Sequence, residues 1–287
     1  MIIQNNIAGI NASRNRSITD GKMKKSLEKL SSGYRINRAG DDAAGLTISE
    51  LMRTQIRGLE QAMRNTNDGI GLTQTGDGAL AEVHSMLGRM KTLATQSANG
   101  TYTTVAREGL DFERQQLIDE INRIGLTTNF DEVPLFDTNV PVPKPSNFTP
   151  PEKAQDMGDI QLQIGHTSEE TLDVPRYFMS ASGLNLENLD IKTIDSANAA
   201  MTNIDLAIEA VADIRAGFGA SQSHLEHTYQ NLSVTNENMT SAESRIRDTD
   251  MADEFTSLTR ENVMFQAGAS MCAQANSLPE MVMNLLR

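Results

Sequence analysis

The chain has 287 residues, a formal net charge of −13, 4% aromatic residues and no tryptophan. That length suits one or two domains, but the composition suits long helical layers better than a thick globular core. The negative charge argues against nucleic acid and anionic membrane as partners, and no apolar run approaches the ~18 residues needed to span a bilayer.

The start, MIIQNNIAGINASRNRS, has no basic region followed by a continuous apolar stretch, so it does not read as a secretory leader. Taken alone, this points to the cytoplasm. Ile3, Ile7 and Ile10 follow 3–4 spacing, as do Met23, Leu27 and Leu30, and predict a first amphipathic helix. Residues 31–59 (SSGYRINRAGDDAAGLTISELMRTQIRGL) then join two helices. Asp41 or Asp42 can accept hydrogen bonds from the free N–H groups that open the second one. Gly33, Gly40 and Gly45 allow the backbones to bend or approach closely.

A long stripe follows: Ile48, Met52, Ile56, Leu59, Met63, Thr66, Ile70. It resumes after Gly76 and Gly78 as Leu80, Val83, Leu87, Met90 and Ala94, and Asn99-Gly100 closes it. Leu110, Leu117, Ile121 and Ile124 mark another helix. Six of the eight prolines fall in 134–151, which reads as an exposed linker. Around it, 129–136 predicts a hairpin, 159–165 (DIQLQIG) a strand, and 171–180 its partner.

The C-terminal half carries the cleanest repeat. Ile204, Val211, Phe218, Leu225, Leu232, Met239 and Ile246 recur every seven residues, which predicts a coiled-coil seam. Ile208, Arg215, Gln222, Tyr229 and Asn236 fall between them, so the seam reads as partly polar. A second ladder, Met264, Met271, Leu278 and Leu285, runs to the end, with Pro279 marking a break or a new start. The fold class is therefore mainly α: a long antiparallel helical coiled-coil bundle with a small β-hairpin patch in the middle of the chain. A helix of ~50 residues is roughly 75 Å long, and a lone chain cannot cover both sides of such rods, so self-association is expected.

Catalytic chemistry has little foothold. His224 and His227 stand three apart with Glu226 beside them, but neither HExxH nor a compact His/Cys/carboxylate set completes a metal site. Solvent-facing histidines are the simpler reading, and no cofactor is expected. GxxxxGK[ST], GxSxG and GxGxxG are all missing from the sequence. Capping accounts for Asp41-Asp42, and Cys272, the only cysteine, is expected to be a buried small residue between ladder positions.

Four segments carry a family resemblance. LEKLSSGYRINRAGDDAAGLTISELMRTQIRGL, NTNDGIGLTQTGDGALAEV and LATQSANGT are similar to the N-terminal half of bacterial flagellin, and AESRIRDTDMADEFTSLTRENVMFQAGASMCAQANSLPEMVMNLLR to its C-terminal half. The resemblance spans nearly the whole chain except about 137–158, so this would be a short form lacking large central surface domains. It implies a non-enzymatic subunit, exported without leader cleavage, that polymerises into the extracellular filament for swimming motility.

Several further expectations come from that resemblance. Residues 1–43 and 247–287 would form an inner-tube coiled coil, 44–136 and 159–246 an outer-core helical bundle with short strands, and 137–158 an exposed linker. Filament assembly would rest on Ile3, Ile7, Ile10, Met264, Met271, Leu278 and Leu285. Partners would be other copies of the chain, a flagellar export chaperone, and hook-associated and cap proteins. An animal Toll-like receptor for flagellin would contact Arg89, Leu93 and Glu113, although Gly88, Lys91 and Thr92 depart from the family's pattern there. The readings that compete are a hook–filament junction protein, a central-insertion peptidase and a cytoplasmic coiled-coil adaptor.

Overall fold

The computed structural model describes residues 6–137, 158–187 and 189–285. Among these, five α-helices dominate: α1 (Ile7–Ser32), α2 (Ala43–Ala98), α3 (Thr104–Thr127), α4 (Ile194–Arg247) and α5 (Met251–Leu285). Six short strands lie between α3 and α4: β1 (Asn129–Phe130), β2 (Val133–Pro134), β3 (Phe136–Asp137), β4 (Ile160–Gln163), β5 (Thr171–Val174) and β6 (Tyr177–Phe178). They pair as antiparallel β1–β2, antiparallel β4–β5 and parallel β3–β6. The hairpin at 129–136 and the 159–165 strand match expectation, whereas the expected single strand at 171–180 splits at Pro175 into β5 and β6 and engages two partners. Most of the Pro-rich linker lies outside the described residues.

Two compact units divide the chain, Met1–Ile56 with Glu237–Arg287, and Arg57–Asn236. The second holds the apolar core. Leu80, Val83, Leu87, Met90, Leu93 and Ala94 of α2 are fully buried, with Ile118 and Ile121 of α3. From α4 come Ile204, Val211, Phe218 and Leu225, four rungs of the seven-residue ladder.

The positions between the rungs are of two kinds. The positions three after the first two rungs, Ala207 and Ile214, are buried, whereas Ile208, Arg215, Gln222, Tyr229 and Asn236 are only half-buried. The next two positions at that offset, Ser221 and Thr228, are polar and half-buried, so the seam is apolar over its first half and partly polar beyond it. Arg215 stands on the flank, where its Nε donates to Asp77 Oδ1 at 2.7 Å.

Nor does α2 break at Gly76 and Gly78. It runs through both, at a propensity cost of about 1 kcal/mol each relative to alanine. Gly76 is used by the packing, because a Cβ there would stand 3.2 Å from the Phe218 ring. That ring meets Phe136 and Tyr177 edge-on at 6.4 and 5.8 Å between centroids, which ties α2, α4 and the β3–β6 pair together.

Candidate assembly surface

In the first unit, α1 and α5 run antiparallel, and several polar and small residues bridge them. Lys29 Nζ lies 3.4 Å from Glu254 Oε2, Ser26 Oγ donates to Glu261 Oε2 at 3.4 Å, and the Arg16 guanidinium sits 5.9 Å above the Phe265 ring. A Cβ on Gly268 would touch Arg16 at 3.8 Å, and Asn6 Nδ2 donates to the Ala275 carbonyl at 2.8 Å. Glu254, Glu261, Gly268 and Ala275 recur every seven residues, so a heptad seam exists on α5. It lies three residues out of phase with the methionine ladder.

The expected assembly residues therefore point elsewhere. Ile7 and Ile10 on α1 are 60% and 61% exposed, and Met264 and Met271 on α5 are 50% and 62% exposed. Ile18 and Leu27 extend the exposed apolar set on α1, and Met251, Phe255 and Val263 on α5. Ile3 lies outside the described residues, as do the side chains of Leu278 and Leu285. Phe255 and Val263 did not stand out in the sequence as assembly residues, although 251, 255, 259 and 263 have the four-residue spacing of one helix face. Cys272, expected to be buried, is only half-buried.

Pro279 does not break α5, which continues to Leu285. A helical proline leaves the carbonyl four residues earlier without its N–H donor. Here that carbonyl belongs to Ala275, and Asn6 supplies the missing donor. The Oδ1 of the same amide accepts from the Gly9 N–H at 3.0 Å and caps α1.

At the other end of this pair the two interhelix turns are knitted together. Gly33 closes α1 at φ 76°, a conformation that glycine adopts without strain, and its N–H donates to Lys29 O at 2.8 Å. The Gly33 carbonyl accepts from Thr249 N–H at 3.0 Å, and Arg35 N–H donates to Arg247 O at 2.6 Å. The Arg247 guanidinium lies 4.7 Å above the Tyr34 ring and donates to Glu50 Oε1 at 2.7 Å. That bond, more than the ion-pair attraction, holds the Glu50 carboxyl below its ordinary range.

The paired aspartates divide the work. Asp42 Oδ1 accepts from Gly45 N–H at 2.9 Å and caps α2. Asp41 instead accepts from the Asn37 and Arg38 amides within the turn and from Lys25. The Arg38 amide first, then Lys25, lowers its pKa. Of the three glycines read as hinges, only Gly33 has a positive φ.

A second surface feature joins α2 to α3. Arg89 Nε and Nη2 each lie 2.7 Å from Glu113 Oε1, and both side chains are about half exposed. Leu93, expected to stand beside them as a receptor contact, is 0% exposed. It fills the core between the helices, so direct contact through its side chain is not available in this fold. Among the described residues, no three His, Cys, Asp or Glu side chains converge to hold a metal ion, and His224 and His227 are exposed. No helix among them is long and apolar enough to cross a membrane.

The chain is similar to known proteins over most of its length. Residues 3–140 match the bacterial flagellin N-terminal helical region, and residues 201–286 the C-terminal helical region. A flagellin of Halalkalibacterium halodurans is 47% identical over 289 residues, covering all of both chains. A flagellar filament core protein of Brachyspira hyodysenteriae is 40% identical, again over the full length of both. A solved structure described as a hook-associated protein of Vibrio parahaemolyticus has 13% identity and a TM-score of 0.57. It covers 72% of this chain and 100% of that one, and shares the fold alone.

Proposed function

The chain belongs to the bacterial flagellin family, and on that premise we propose that it polymerises into the flagellar filament, a passive propeller for swimming. Its place is the extracellular filament, its role structural rather than catalytic, and its principal partner is another copy of itself. The observation that carries this reading is the arrangement of α1 and α5. They pair with each other and still leave Ile7, Ile10, Ile18, Leu27, Met251, Phe255, Val263, Met264 and Met271 exposed.

Fully burying such a side chain is worth about 1.5–3 kcal/mol, whereas association costs on the order of 4–15 kcal/mol in lost freedom. Nine half-exposed side chains meet that cost when neighbouring copies cover them. A closed ring or helical stack of copies is the arrangement in which every subunit is covered equally. Residues 1–43 and 247–287 would line the inner tube, with 44–136 and 159–246 outside them and 137–158 at the surface. Ile3, Leu278 and Leu285 would extend the assembly face.

Before assembly, the same apolar faces would be held by an export chaperone, and hook-associated and cap proteins would meet the ends of the polymer. The Toll-like receptor for flagellin is proposed as a ligand-sensing partner of the free monomer. Support for this is the family-like segment Gly88–Asn99 and the half-exposed Arg89–Glu113 pair.

Electron microscopy of purified protein, with and without sheared filament seeds, tests the central reading. Elongation into hollow tubes is expected. Failure to form tubes under any salt or pH condition would overturn it.

A further inference from the structure

We propose that Asn99-Gly100, in the turn between α2 and α3, is a site of spontaneous covalent modification, at which Asn99 converts through a succinimide to aspartate and isoaspartate. This is the only Asn-Gly pair in the chain. It lies just past the end of α2, and both residues are exposed.

Three features of the turn favour ring closure. The Thr101 N–H donates to Asn99 Oδ1 at 3.3 Å, which folds the side-chain carbonyl over the next peptide and polarises its carbon toward attack. The Gly100 N–H donates no hydrogen bond within the described chain, so the nucleophilic nitrogen is not tied up. Nothing lies within 4 Å of the position a Gly100 Cβ would occupy, and without that carbon the backbone can rotate into the ring.

The step balances without an oxidant or cofactor. Hydroxide removes the Gly100 amide proton, and the nitrogen bonds to Asn99 Cγ. The Cγ–Nδ2 bond then breaks, and ammonia leaves with a proton taken from water. A second water opens the ring at either carbonyl, giving aspartate or an isoaspartyl linkage.

Asp68-Gly69 and Asp77-Gly78 offer a contrast within the same chain. Both lie inside α2, where helical hydrogen bonds hold the glycine amides. Gly69 is crowded by Leu162 and Leu225, and the Asp77 carboxylate is held by Arg215 at 2.7 Å.

The product would disturb its surroundings. A new carboxylate falls at the negative end of the α2 dipole. The isoaspartyl form reroutes the main chain through Asn99 Cβ and Cγ and turns the former Asn99 peptide carbonyl, which accepts from Tyr102 N–H at 3.4 Å and from Arg107 Nη2 at 3.2 Å, into a free carboxylate.

The full-length monomer, aged in warm and mildly alkaline buffer, tests this by peptide mapping and enzymatic methyl labelling of isoaspartate. A gain of one mass unit and the label should concentrate on the peptide containing Asn99. Gly100→Ala should lose most of the label and Asn99→Gln all of it, with helical circular dichroism unchanged in both. An unmodified Asn99, label spread evenly over other asparagines, or undiminished label in Gly100→Ala would each overturn the assignment.

Discussion

Asn6 and Ala275 stand 269 positions apart in the sequence and meet through one hydrogen bond, 2.8 Å from Asn6 Nδ2 to the Ala275 carbonyl. The contact repairs a defect that Pro279 creates in α5. Because the Oδ1 of the same amide caps α1, one side chain orders the ends of both helices.

Asn6→Asp keeps the capping acceptor and loses the donor, whereas Asn6→Ala loses both. Asn6→Ala should destabilise the first turn of α1 by about 1 kcal/mol, and Asn6→Asp by less. Both should speed amide exchange in α5 near Ala275. Hydrogen exchange followed by mass spectrometry separates the two effects; equal protection in Asn6→Asp and wild type would show that the bridge contributes nothing.

Gly76→Ala and Gly78→Ala should shift stability in opposite directions. Both gain helix propensity of about 1 kcal/mol. The new Cβ at 78 has open space, whereas at 76 it stands 3.2 Å from a Phe218 ring pinned by Phe136 and Tyr177. Overpacking of this kind costs about 1–3 kcal/mol, so Gly76→Ala should lower the urea midpoint and Gly78→Ala raise it.

Met264→Gln combined with Met271→Gln should leave the monomer's circular dichroism unchanged, since both side chains are at least half exposed. Seeded polymerisation should fall sharply. Removing about the last thirty residues should leave a soluble, helical monomer that no longer polymerises. Normal filaments from either protein, seen by electron microscopy, would rule out this face as the assembly surface.

Acid should loosen the knot between the two interhelix turns. The Asp41 carboxyl is lowered from 3.8 by the Arg38 amide and Lys25, and Glu50 from 4.5 chiefly by Arg247. A carboxyl with a depressed folded-state pKa contributes stability above its unfolded value, and that contribution is lost as pH falls through the folded one. Protease nicking within 33–42 should therefore increase only below those ordinary values. Arg247→Ala should make the segment sensitive at neutral pH, and Arg247→Lys should rescue it only in part, because an ammonium cannot stack its plane on Tyr34.

Arg89→Ala and Glu113→Ala should weaken binding of the flagellin-sensing receptor while leaving monomer stability within about 0.5 kcal/mol, as expected of an exposed ion pair. Unchanged affinity in a pull-down would remove both residues from the proposed contact.

Helix positions, the hairpin at 129–136 and the ends of α2 were legible because spacing and capping residues act locally. The role of Leu93 was not, because a matching motif does not reveal whether a side chain faces solvent or core. The face of α5 that meets α1 was not legible either. Methionines at 264 and 271 are the conspicuous repeat, yet Glu254, Glu261, Gly268 and Ala275 meet α1, and polar or small residues at those positions leave no hydrophobic signal of the pairing.

By itself, then, the sequence determined which segments become helices and that their apolar stripes exceed what one chain can bury. Only the tertiary structure decided which stripe meets which. α1 and α5 must each choose one face for the other, and the faces they choose leave Ile7, Ile10, Met264 and Met271 exposed. Local periodicity contains no term for a partner more than two hundred residues away.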